Sequence, residues 1–166
     1  MRVLFTVALA VAILAVALPA IDAVSVERAD TSVGAAVERL VRAARTLAAG
    51  NDALRPDQGP ARQAIELELP DGGVATAPVR SLTIGPPASK SIPESRETDT
   101  ESGAAATRLT WRVAGGRQRV RQVAGVRIRP VDGDRFTLGA GGRHRLVLRL
   151  VERHGHRVVT VGRPGQ

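Results

Sequence analysis

The residues of this chain whose types and spacing could do chemistry are mostly arginines. Arg119 and Arg121, Arg127 and Arg129, and Arg145 and Arg149 stand two or four positions apart, with Arg112 shortly before them. On a strand, side chains two apart share a face. A guanidinium fork holds carboxylate or phosphate through two parallel hydrogen bonds. These seven are therefore the candidate anion-binding residues of a basic sheet face, and the plainer reading is ordinary outward alternation on half-buried strands. His154 and His156 flank Gly155, with His144 nearby, and two imidazoles at that spacing could share a metal. The pair straddles a turn glycine, and the chain has no cysteine to complete a set, so a surface turn is expected. Glu66 and Glu68 alternate with Ile65, Leu67 and Leu69 and read as solvent-facing strand carboxylates, not an acid/base pair. Gly139-Ala140-Gly141-Gly142 lacks the strand, lysine and helix context of a phosphate loop. No Gly-x-Ser-x-Gly, His-Glu-x-x-His or Ser/His/Asp constellation is present. The chain reads as non-enzymatic, with no catalytic residue, metal ligand set or cofactor.

The charge is uneven. Between Asp22 and Glu101 there are 13 acids and 9 bases, a net of −4, whereas Gly103 to Gln166 holds 14 arginines against 3 acids, a net of +11. A basic half attracts anionic partners: lipid headgroups, acidic glycans or nucleic acid. Phe5, Trp111 and Phe136 are the whole aromatic set, too few for the stacking platforms of nucleic-acid modules, so nucleic acid is not the expected partner. The core must be built from Val, Leu, Ile and Ala.

These residues have to be positioned by the elements around them, and the first is an apolar run. Val3 to Ile21 carries no charge before Asp22 ends it. Nineteen helical residues reach about 28 Å, close to the roughly 30 Å hydrocarbon core of a bilayer. The expectation is a transmembrane anchor over residues 1–21 that contacts membrane lipid through residues 3–21. With Arg2 before the run and Asp22, Glu27 and Asp30 after it, the N-terminus is expected in the cytoplasm and the C-terminal domain outside the cell membrane. The alternative is a signal peptide cleaved near Ala23, giving a secreted chain.

From residue 22 to 50 the pattern is helical. Val26, Ala29, Val33, Val37, Leu40, Ala44 and Leu47 recur at steps of three and four and draw one apolar stripe, which Gly50-Asn51 ends. No loop signal separates this amphipathic helix from the apolar run, and its stripe is expected to cover the chain's own sheet. A loop follows, and then the period changes to two. Residues 51–84 hold the first strands, with Ile65, Leu67 and Leu69 in one and Leu82 and Ile84 inward in the next. Residues 85–106, with three prolines and many Ser, Thr, Glu and Asp, read as a linker or loop. The basic region 107–163 completes the domain. There Leu109, Trp111 and Val113 alternate before a Gly115-Gly116 turn and a return at 118–123. Val126, Ile128 and Val131, then Phe136 and Leu138, mark two short strands, and Leu146, Leu148 and Leu150 mark the strongest, which Arg157 to Val161 pairs with as a hairpin. The fold class is α+β: a transmembrane helix continuing into an amphipathic one, then seven or so strands in a mainly antiparallel β-sheet domain.

An uncharged apolar helix, VLFTVALAVAILAVALPAI, running into DAVSVERADTSVGAAVERLVRAARTLAA and then strands, resembles the plan of type IV pilins and pseudopilins. In finer detail, ALPAIDAV followed by ERAD, then TAPVRSLTIG, RQRVRQVAGVRI and GGRHRLVLRLV, resembles a haloarchaeal family of small single-pass membrane proteins, a domain of unknown function. The resemblance implies an archaeal cell-surface protein, a structural or accessory component of a pilus- or secretion-like system that meets other envelope subunits. Beside it stands a second expectation, a binding module for an anionic ligand such as glycan, lipid headgroup or nucleic acid, held by the arginine-rich sheet.

Overall fold

Eight strands follow one long helix in the computed structural model of the chain, which describes residues 2–50, 61–73, 75–86, 106–153 and 155–165, the side chains of 2, 5, 14, 16–19 and 106 excepted. Helix α1 (Arg2–Ala49) runs for 48 residues without a break. The apolar run and the amphipathic stretch are thus one rod. The Gly50 amide donates to the Thr46 carbonyl at 3.1 Å and closes the last turn.

The second half of α1 is an interior element. Ala29, Val33, Ala36, Val37, Leu40, Val41 and Ala44 are all buried, a band broader than the expected stripe because Ala36 and Val41 join it. Three alanines on that band, Ala29, Ala36 and Ala44, leave room for the sheets to approach the helix. Val26 and Leu47, at its ends, are half-buried.

Strands β1 (Arg62–Leu69), β2 (Val79–Gly85), β3 (Ala106–Val113), β4 (Gln118–Ala124), β5 (Ile128–Pro130), β6 (Phe136–Gly139), β7 (Gly142–Arg153) and β8 (His156–Gly162) form two four-stranded sheets. One has the order β1-β7-β8-β5 and the other β4-β3-β2-β6. All pairings are antiparallel except β5 with β8. Helix α1 packs on β1, β7 and β8 of the first sheet and on β3 of the second. Leu67, Leu69, Leu146, Leu148 and Leu150 from the first sheet join Leu82, Ile84, Leu109 and Leu138 from the second in one core with the helix. The α+β class with a mainly antiparallel sheet domain is therefore what the chain forms.

The two sheets are joined at β5 by a side chain. The Thr107 hydroxyl donates to the Val126 carbonyl at 3.1 Å and accepts from the Ile128 amide at 2.7 Å, supplying to buried backbone the partners a neighbouring strand would give.

Several expectations need correction. Val126 and Val131 lie outside β5, which is only three residues long because Pro130 cannot donate and the Asp132-Gly133-Asp134 loop follows. Positions 85 and 106 of the expected linker belong to β2 and β3; its residues 87–105, the loop 51–60 and His154 lie outside the described residues. Among the described residues no helix is long and apolar enough to cross a membrane.

Candidate functional site

The seven candidate arginines divide between the two sheets. Arg112 is exposed on β3, and Arg119 and Arg121 lie on β4, the edge strand of the second sheet. The two on β4 face α1 and are already engaged. Arg119 Nε donates to Asp30 Oδ2 at 2.9 Å, Arg121 pairs with Glu38, and Arg45 of the helix donates to the Ala124 carbonyl at 3.3 Å. The three points follow one another along both elements. Charges on β4 therefore fasten the free edge of the sheet to the helix, which guards an edge that would otherwise offer unpaired backbone. Trp111, the cross-strand partner of Arg119, donates Nε1 to the other oxygen of Asp30 at 3.1 Å. Two of the seven are structural.

Arg129, Arg145 and Arg149 lie on the outer face of the first sheet, with Arg127 just before β5. Leu146, Leu148 and Leu150 point into the core, so Arg145 and Arg149 must point out. The register sets Arg62 beside Arg149, Arg149 beside Thr160 and Thr160 beside Arg129, one row across all four strands. Below that row Val151 opposes Val158, and Arg153 opposes His156. Two of the sheet arginines thus meet residues that sequence reasoning passed over. Arg127, Arg129, Arg153 and His156 surround a cavity of about 310 Å3 whose walls include Pro130, Val158, Gly133 and Asp134. Among the described residues, no carboxylate lies within ion-pair distance of Arg127, Arg129 or Arg153. Extending the odd-numbered alternation of β7 from Arg149 through Val151 would have reached Arg153. Nothing in the sequence pointed to Asp134, because its place depends on where the β5–β6 loop folds back.

Glu66 and Glu68 are exposed on β1, and Glu66 lies 3.8 Å from Arg143, a loose surface pair. His144 Nε2 sits 3.2 Å from the Ala140 carbonyl and His156 is exposed in the cavity rim. Among the described residues no group of three His, Cys, Asp or Glu could hold a metal ion.

A second cavity, of about 710 Å3, lies where α1 leaves the domain, between Ile21, Asp22, Ser25 and Val26 of the helix and the Gly73–Pro78 and Ala114–Gly115 turns. The Ala77 amide donates to the Ser25 carbonyl at 3.2 Å, and a Cβ at Gly116 would stand 3.0 Å from Val26, so these turns form a collar against the helix. Beyond the collar the helix has no described cover: Val3, Leu4, Val7, Leu9, Val11 and Ile13 are each 51–76% exposed.

No curated protein and no solved structure matches the chain. The model of the domain of unknown function DUF7311 matches residues 1–164, nearly the whole chain, and the protein belongs to that family.

Proposed function

We propose that the protein is a non-enzymatic, membrane-anchored chain that holds its α+β domain outside the cell membrane, as a structural or accessory component of a pilus- or secretion-like envelope system. The observation that carries this reading is one helix in two environments. One face of residues 29–44 is buried under two sheets, while six large apolar side chains between positions 3 and 13 stand bare. Covering a Val, Leu or Ile side chain is worth about 1.5–3 kcal/mol each, so such a surface needs lipid or another apolar helix over it. The full uncharged run of 19 residues suits lipid, and the collar at residues 21–26 marks where the domain would meet the bilayer surface. Arg2 before the run, with the acids at 22, 27 and 30 after it, supports an orientation with the N-terminus inside. The long helix capped by sheets supports the pilin-like layout and hence an assembly role among envelope subunits.

The test is the intact mass and terminal peptide map of the native chain in membrane and medium fractions, followed by cross-linking in membranes. A membrane-held chain that retains residues 3–21 and cross-links to envelope-assembly subunits supports the proposal. A soluble chain beginning near Val24 overturns the anchor, and a membrane-held chain cross-linking to no such subunit overturns the assembly role.

A further inference from the structure

We infer that the cavity bounded by Arg127, Arg129, Arg153 and Asp134 is a binding site for an acidic saccharide, a sugar carrying a carboxylate or a comparable anionic group. This goes beyond the envelope role and stands on the geometry of the domain alone.

Three guanidinium groups and one carboxylate converge on about 310 Å3, room for one or two sugar rings and not for an extended polymer groove. The arginines come from two separate places in the sheet. Arg127 and Arg129 flank Ile128 at the start of β5, and Arg153 ends β7, so the parallel β5–β8 pairing and the β7–β8 hairpin bring them together. They are half-buried or exposed and, among the described residues, free of carboxylate partners, in contrast with Arg119 and Arg121, which α1 neutralises. An anion entering here would find forks ready for bidentate bonds.

Asp134 decides which anion. A carboxylate in the wall repels any ligand that presents only phosphates but accepts hydrogen bonds from hydroxyl groups. One acidic group for the arginines and hydroxyls for Asp134 describe a sugar acid. Nucleic acid fits poorly. Trp111 is buried and bonded to Asp30 and Phe136 is half-buried against the core, so neither is an open stacking platform beside the cavity.

The chain's own bilayer fits poorly as well. β7 starts at Gly142, opposite Leu69, where the 70–78 loop meets the helix collar, and ends at Arg153. Those twelve residues span roughly 36 Å, several Debye lengths beyond the end where the apolar helix emerges. The site lies at the opposite end of β7 from that emergence.

Purified full-length protein in detergent is titrated with a labelled oligogalacturonate, inorganic phosphate, a single-stranded oligonucleotide of matched charge and vesicles of anionic phospholipid, at low and high salt. The oligogalacturonate is expected to bind tightest. Arg127→Gln, Arg129→Gln and Arg153→Gln should each weaken it about tenfold, and Arg112→Gln on the other sheet should leave it unchanged. Asp134→Asn should weaken the saccharide and strengthen inorganic phosphate. Tighter binding of every anion by Asp134→Asn, preference for the oligonucleotide or the vesicles, or no saccharide binding overturns the proposal. Because the readout is binding by the isolated chain, none of these outcomes bears on the anchor or on envelope assembly.

Discussion

Asp30 accepts the indole N–H of Trp111 at 3.1 Å, and this bond ties the middle of the long helix to the middle of β3. Its other oxygen takes Arg119, so a single helix carboxylate engages both members of a cross-strand pair. The two contacts differ in worth. The Arg119 side chain is 57% exposed, and an ion pair in that setting contributes at most about 1 kcal/mol. Trp111 is 8% exposed, and an indole N–H left there without an acceptor carries the larger penalty.

Asp30→Ala should therefore destabilise the domain by about 1–3 kcal/mol. Asp30→Asn, which keeps an acceptor for the indole, should cost under about 1 kcal/mol. Denaturant titration followed by Trp111 fluorescence checks both, since it is the chain's single tryptophan. Equal losses in the two variants would assign the stabilisation to Arg119 instead.

Thr107 is wholly buried and replaces a missing strand-to-strand hydrogen bond between β3 and β5. Thr107→Val keeps the shape and strands the Ile128 amide and the Val126 carbonyl, a loss of about 1–3 kcal/mol. Thr107→Ser keeps the hydroxyl and should lose less. Hydrogen exchange at the Ile128 amide provides the local readout, and it should accelerate in the valine variant alone.

The Gly139–Gly142 turn packs its third residue directly on the Pro70–Asp71 backbone, where a Cβ at Gly141 would collide. Gly141→Ala must push the β6–β7 turn off the β1–β2 connection and should be among the most damaging single changes in the domain. Ala140 sits at φ 41°, a region costly for a side chain. Ala140→Gly relieves it and should leave stability level or raise it by up to about 1 kcal/mol. Thermal melts of the two variants should move in opposite directions.

The two halves of α1 should respond differently to the same truncation. Leu40 is fully buried and Leu9 is 51% exposed. Leu40→Ala should cost about 2–5 kcal/mol of domain stability, whereas Leu9→Ala should stay within about 0.5 kcal/mol in detergent.

Faces were easier to read from the sequence than partners. Leu67, Leu82, Leu109 and Leu148 declare their buried side because alternation needs only the local pleat, and the helix stripe from Ala29 to Ala44 is equally local. Pairing is not local. Asp71-Gly72-Gly73 looks like a hairpin turn, yet β1 pairs with β7, whose partners stand some seventy to ninety positions later, and β2 pairs with β3 and β6. A parallel β5–β8 pair leaves no mark in a three-residue strand. For the same reason the arginines were visible one by one while their division was not. Whether Arg121 meets Glu38 or lines a cavity with Arg127 depends on which sheet receives its strand.

The absence of cysteine permits the most direct test of the central claim, that lipid covers the first half of α1. Single cysteines at Leu9, Val11 and Arg45 carry spin labels, and the full chain in bilayers is probed for accessibility to oxygen and to a water-soluble nickel complex. The account predicts that the labels at 9 and 11 favour oxygen and resist nickel, while the label at 45 does the reverse. Ready access of the nickel complex to positions 9 and 11 would contradict it.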